Sequence, residues 1–334
     1  MIQGRVAAVA HGVVWFNIRP YNRDNIVRGQ FLQDLHASIH TVPQDSLMTM
    51  PLVFDSRHEG HGQREYALIL DALKNESWFD TNRCFWVNNV FGDEDSHVIS
   101  IPWQMTNHTN FFNFVKEIDR DWSTLAREKK FVCLMRRQSP SRTQLAIQIL
   151  KRFNADDYVL SCSSMIFQQQ FDYANNVRFP ILIDGRVDQN KQHQLNVPAV
   201  FDCLINAVVE TSNQRDAEQH AVWDSLFITE KTFKAFAWRQ MPIWFAVPGT
   251  VQKIRSVGFD VFDDVFDNHC YDTIQDQDQR FQKVFEILDQ ALKLDYDIAN
   301  FIPRFQHNYQ VLDNLDHNPM RSDQYIAKII CSRI

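Results

Sequence analysis

Two cations stand where helices do not favour them. Residues 227–236 read FITEKTFKAF, with Thr229 a natural helix N-cap, Glu230 the first helical residue and Lys231 the second. Residues 136–147 read RRQSPSRTQLAI, with Ser139 as the cap, Pro140 in the first helical position and Arg142 in the first turn. The positive end of a helix dipole favours an anion and opposes a cation. Capping accounts for Thr229 and Glu230 but not for Arg142 or Lys231. A bound phosphate accounts for both, because helix N-termini offer unpaired amides and a basic side chain adds charge. If both helices start at one edge of a sheet, Arg142 and Lys231 clasp one diphosphate. Glu230 then stands where it accepts hydrogen bonds from ribose hydroxyls. The alternative is two basic side chains turned to water.

Such helices need strands before them. Residues 130–135 (KFVCLM) are a continuous apolar run, the pattern of a buried parallel strand. A helix over 140–153 and a strand over 157–162 follow. Further on, 204–211 and 241–247 predict strands, and 229–239 and 249–256 predict helices. This alternation is that of a doubly wound parallel sheet, whose ligands bind where helices begin after strands. In the first half, 5–16 and 83–91 predict strands, and 63–77 predicts a helix with Tyr66, Leu70 and Leu73 on one face. A second helix is expected over 110–128 and a loop over 175–200. Residues 278–294 form a marked amphipathic helix, and 295–334 read as helical in pieces.

At 334 residues the chain exceeds one ordinary domain. Its 45% apolar and 22% charged residues exclude a disordered or fibrous chain. The 34 basic against 41 acidic residues leave a net charge of −7, which is not that of a general nucleic-acid binder. Only 9 glycines argue against a glycine-rich phosphate loop, so side chains must help to hold any phosphate. The six cysteines form no CxxC pair, so neither a zinc ribbon nor a disulfide framework is expected. The first apolar run is broken by His11 and reads as a strand rather than a signal peptide. No 18-residue apolar run occurs, so no membrane span and a cytoplasmic location are expected.

The block 227–264 (FITEKTFKAFAWRQMPIWFAVPGTVQKIRSVGFDVFDD) resembles the C-terminal half of GT-B glycosyltransferases related to the alpha-1,3-fucosyltransferases, and bacterial and phage reading frames of that kind. A strand ends in an acidic residue, Glu210. T-E-K then opens a helix, a Pro-Ile strand follows, and a further helix leads to G-F-x-x-F. Upstream, 130–142 resembles the family's strand, loop and arginine. The likeness covers about 130–270. It implies an α/β protein of the GT-B fold, two Rossmann-like domains facing a cleft. An N-terminal domain over 1–125 would bind the acceptor, a C-terminal domain over 126–300 the donor, and 301–334 would pack back on the first domain.

The donor implied is a nucleoside-diphosphate sugar, with UDP or GDP as carrier, and no permanently bound cofactor or metal. The same resemblance gives Glu230 the ribose and Lys231 and Arg142 the diphosphate, with Arg136, Arg137, Thr229 and Glu210 beside them. The chain departs from the family in carrying Gln240 and Met241 next to Pro242, where glycine is usual.

Inverting transfer needs a base for the acceptor hydroxyl. The segment 51–65 (PLVFDSRHEGHGQRE) ends an apolar run at Asp55 and then supplies His58, Glu59 and His61. Asp55, Glu59 and His61 are the candidates, unranked. The H-E-x-H run is also a possible metal site, and the other reading is a solvated loop. Asp93-Glu94-Asp95 looks like the metal-binding D-x-D of the GT-A fold, a second alternative. Trp103, in a polar loop, and His11 are candidates for acceptor contact. The acceptor is a glycan by family default or, alternatively, a hydroxymethylated base in phage DNA. A third possibility is a non-catalytic nucleotide- or glycan-binding module. Oligomeric state is open.

Overall fold

A computed structural model of the chain describes residues 6–18, 26, 29–56, 63–88, 97–100, 129–135, 140–162, 198–210, 226, 228–316 and 322–333. The described residues form a mixed α/β structure with two sheets. The chain divides into two units, one of Met1–Asn107, Asp216–Phe227 and His317–Ile334, the other of His108–Arg215 and Ile228–Asp316. The expected boundary at 125/126 and the helix expected over 110–128 lie outside the described residues.

The first unit holds β1 (Ala7–Ala10), β2 (Val13–Asn17), β3 (Leu52–Asp55), β4 (Cys84–Asn88) and β5 (Val98–Ser100), in that spatial order. β1 and β2 are antiparallel; β2 to β5 are parallel. The single strand expected over 5–16 is therefore a hairpin. His11 (φ 54) and Gly12 (φ 80) make a two-residue turn with both φ positive, which apolar patterning alone does not reveal.

Strands β2 to β4 bury both faces, so their sequences run apolar without alternation. Val14, Phe16, Leu52, Phe54, Cys84 and Trp86 pack on one side. There they meet Phe31 and Leu35 of α1 (Gln30–Ser38), Leu47 of α2 (Gln44–Thr49) and Ile69 and Leu73 of α3 (Gln63–Leu73).

The second unit runs β6 (Lys129–Met135), α4 (Pro140–Arg152), β7 (Tyr158–Cys162), α5 (Pro198–Phe201), β8 (Cys203–Val209), α6 (Glu230–Ala237), β9 (Met241–Phe245) and α7 (Thr250–Ser256). α8 (His269–Asp272), α9 (Gln277–Ala291) and α10 (Ile302–Asp316) complete it. Its four strands are all parallel, in the order β7-β6-β8-β9. The strands and helices expected here from apolar patterning agree with those found, apart from one to three residues at their ends, and α5 takes up the end of the loop expected over 175–200.

The last segment divides between the units. α10 packs against α6 within the second unit. α11 (Asp323–Cys331) belongs to the first unit. Its Ile326, Ala327 and Ile330 cover Val13, Trp15, Val53, Phe85, Val87 and Ile99, the sheet face turned away from α1–α3. Of the segment 301–334, expected to pack back on the first domain, 317–334 belong to the first unit and 301–316 to the second. The reason is topological. The parallel strands of the first unit advance in one direction, so right-handed crossovers put α1–α3 on one face and leave the other bare.

Candidate functional site

The second sheet winds both ways from its centre. The crossover from β6 to β7 runs in one direction and that from β8 to β9 in the other. Adjacent side chains of β9 identify the two faces. Phe245 packs edge-on to Phe281 and Phe285 of α9, and α9 in turn is held to α4 by Arg152, which donates to Gln282 at 2.8 Å and lies over Phe285. Trp244, the next residue along, points the other way and donates its indole N–H to Thr232 of α6 at 3.1 Å. Helices α4 and α6 therefore lie on opposite faces and start at the carboxyl ends of neighbouring strands. That is a topological switch point, where open α/β sheets leave a crevice for ligands. Among the described residues the parallel strands of the first unit show no such reversal.

Arg142 and the triplet Thr229-Glu230-Lys231 flank this switch point. Arg142, in the first turn of α4, is only 3% exposed. Its field reaches β6: burial drives the Cys133 thiol well above its ordinary pKa, Cys162 adds to the rise, and the Arg142 guanidinium opposes it. No acidic residue occupies the first turn of α4.

The start of α6 is built differently. Glu210, the residue after β8, is buried and accepts the Thr229 amide at 3.1 Å, the Thr229 hydroxyl at 2.5 Å and the Thr232 hydroxyl at 2.6 Å. Thr229 is the N-cap, its oxygen accepting the Lys231 amide at 3.4 Å and the Lys231 ammonium at 2.9 Å. The ammonium also faces Glu230 at 3.5 Å, with both side chains about a quarter exposed. The protein thus supplies part of the anion that Lys231 and the helix dipole call for.

The third helix at this edge is filled in the same way. Asp272 accepts the Val251 and Gln252 amides at 2.9 Å each, at the start of α7. Burial raises its carboxyl above the ordinary range, against the pull of those two amides and of Arg255.

In the first unit Asp55 ends β3, buried, beside Asn17 of β2 in the register. Ser56 and Asn88, also buried, continue this polar carboxyl edge. His11 is exposed at the hairpin before β2, at the opposite end of the parallel strands from Asp55. Glu59, His61, Trp103, Arg136 and Arg137 lie outside the described residues, as do Ser139, His58 and the Asp93-Glu94-Asp95 triplet.

Three polar residues escaped the sequence reading. Thr232, three positions after the cap, is a helical neighbour of Thr229, and that spacing was a usable signal. Asp272 acts across 20 residues and left none. Glu65, fully buried in the first turn of α3, was passed over in favour of its neighbours. Among the described residues no three His, Cys, Asp or Glu side chains converge as metal ligands, and no helix is long and apolar enough to cross a membrane.

Comparison with protein-family models, with curated proteins and with solved structures finds no match for this chain.

Proposed function

We propose that the chain is a glycosyltransferase of the GT-B kind, with the second unit binding a nucleoside-diphosphate sugar and the first unit serving the acceptor. The observation that carries this is the switch point between β6 and β8, flanked by Arg142 on one face and Lys231 with Glu230 on the other. The resemblance of 227–264 to the fucosyltransferase-related family supports the same assignment of roles.

In this reading the acceptor hydroxyl attacks the anomeric carbon, and the bond to the diphosphate breaks on the opposite side. Arg142 and Lys231 meet the charge that develops on the leaving diphosphate, an electrostatic contribution that strengthens as water is excluded. Glu230 holds the ribose. Asp55 takes the proton from the acceptor hydroxyl, with Glu59 and His61 as the other candidates for that step.

The test is a thermal-shift screen against UDP, GDP, CMP and their sugars, run beside Lys231→Ala. A ligand at a hundredfold excess over its Kd adds about 2.7 kcal/mol to apparent stability. One nucleoside diphosphate should stabilise the native chain and not the variant. If none stabilises either protein, the donor assignment is wrong. An enzyme then releases nucleoside diphosphate from the matching sugar nucleotide, even by slow hydrolysis, whereas a binding module does not.

A further inference from the structure

We infer that Glu210 is a positioning residue for Lys231 and acts through the hydroxyl of Thr229. The inference rests on the proposed function only for what Lys231 is held to do; how it is held follows from geometry.

A hydroxyl has one proton and two lone pairs, and an ammonium has protons only. The Thr229 hydroxyl lies 2.5 Å from Glu210 Oε2 and 2.9 Å from Lys231 Nζ. Lys231 must donate, so the Thr229 proton must go to Glu210. The Glu210 carboxyl oxygen Oε2 accepts it and leaves the hydroxyl oxygen's lone pairs directed at Lys231. The other carboxylate oxygen, Oε1, is pinned by the Thr229 amide and by the Thr232 hydroxyl. Thr232 itself receives the Trp244 indole N–H from β9. The donors thus run in two converging lines, Trp244 to Thr232 to Glu210, and Lys231 to Thr229 to Glu210. Each hydrogen bond in such a chain polarises the next.

This arrangement turns a flexible side chain into a fixed charge. A lysine otherwise gives up considerable rotamer freedom when an anion immobilises it. Here Thr229 Oγ1 and Glu230 Oε1 hold the ammonium beforehand, on the rim of the switch point. Glu210 is buried beneath it and need not touch the ligand.

The experiment reads the lysine ammonium groups of the full chain without ligand by nitrogen-15 NMR, the Lys231 resonance being assigned through Lys231→Gln. An ordered, hydrogen-bonded ammonium gives a distinct resonance. Thr229→Val, which keeps the shape and removes the hydroxyl, should abolish it; Thr229→Ser should keep it. Glu210→Gln, which replaces one of the two acceptor oxygens with an N–H donor, should shift or broaden it. A role confined to capping α6 would lower the Tm of Thr229→Val and leave the ammonium resonance where it was. That result overturns the inference, and so does an unchanged resonance in Glu210→Gln.

The same variants are then titrated with UDP and GDP. Thr229→Val should bind the preferred diphosphate roughly tenfold or more weakly, the loss expected when a hydrogen bond to a charged group goes, and Thr229→Ser should recover most of it. If neither diphosphate binds the native chain while the resonance follows the pattern above, the donor assignment falls and the positioning stands. If a diphosphate binds both Thr229→Val and the native chain equally and the resonance is unmoved, the positioning falls and the donor assignment stands.

Discussion

Glu210 receives both the amide and the hydroxyl of Thr229, at 3.1 and 2.5 Å, so the cap of α6 is met by a carboxyl group of the protein's own. Asp272 does the same for α7. Of the three helices that follow β6, β8 and β9, α6 carries Glu230 in its first turn, α7 has no acidic residue there but is met by Asp272 from α8, and α4 has no acidic residue there but a buried arginine.

Glu210 and Lys231 should separate stability from binding. Lys231 lies at the surface, paired with Glu230, and opposes the helix dipole. Lys231→Ala should change unfolding free energy by less than about 1 kcal/mol. Glu210→Ala leaves three buried donors without their acceptor and should cost about 3 kcal/mol or more. Urea unfolding of the two variants beside the native chain checks this. Equal losses in both would mean that Lys231 is part of the structural core of the cap.

The positions most legible in the sequence were those fixed by local physics. Thr229 as N-cap, Glu230 and Lys231 in the first turn, and the buried run of β6 follow from neighbours along the chain. What escaped was set by distant partners. Gln240 stands where the resembling family carries glycine, and the structure gives it a structural task. Its amide donates to the Val200 and Cys203 carbonyls at 2.7 and 3.1 Å and accepts from Asn206 at 2.7 Å. The G-F-x-x-F segment likewise owes its shape to α10. Arg304 pairs with Asp260 and Asp264, His307 contacts the Gly258 carbonyl, and Asn308 bonds both backbone groups of Asp260. The hairpin at His11-Gly12 is hidden in the sequence because apolar residues resume directly after the break, and it is the positive φ of both residues that reverses the chain.

The Arg304–Asp260 pair makes a pH prediction. Burial works against ionisation of Asp260, but hydrogen bonds from Arg304 and the Phe262 amide, with the Arg304 charge, outweigh it and hold the carboxyl below its ordinary 3.8. A lowered folded pKa gives stability that is complete above the unfolded value and lost as pH falls through the folded one. Asp272, raised by burial, favours the folded chain on acidification, so the whole-protein curve mixes the two. The difference between the native chain and Asp260→Asn isolates the first. It should be largest at neutral pH and shrink below about pH 4. A difference that does not depend on pH would mean that the pair is not ionic.

Helix α11 should be indispensable to the first unit. Ile330 is fully buried on the face that α1–α3 leave open. Ile330→Ala should cost about 2–5 kcal/mol, as for other large-to-small core changes. Ending the chain before Ser322 should expose Trp15, Val53 and Phe85 and give strong binding of a hydrophobic dye. If the shortened chain keeps its unfolding midpoint and binds no dye, α11 is an appendage rather than a wall of the core.

Asp55 separates the acceptor step from donor binding. It ends β3 in the first unit, whereas the proposed donor residues belong to the second. Asp55→Asn keeps the shape and removes the base, so transfer to an acceptor should fall by about 10²–10⁴-fold, the usual contribution of general base catalysis. Diphosphate affinity should be unchanged, because Arg142 and Lys231 are untouched. The measurement is product formation beside a UDP or GDP titration of the same preparation. A variant that loses both together has lost its fold or its donor site, and one that loses neither moves the base to Glu59 or His61. The pH profile distinguishes those two: a histidine base gives a rate that falls below about pH 6.5, and a carboxylate base one that falls nearer pH 4.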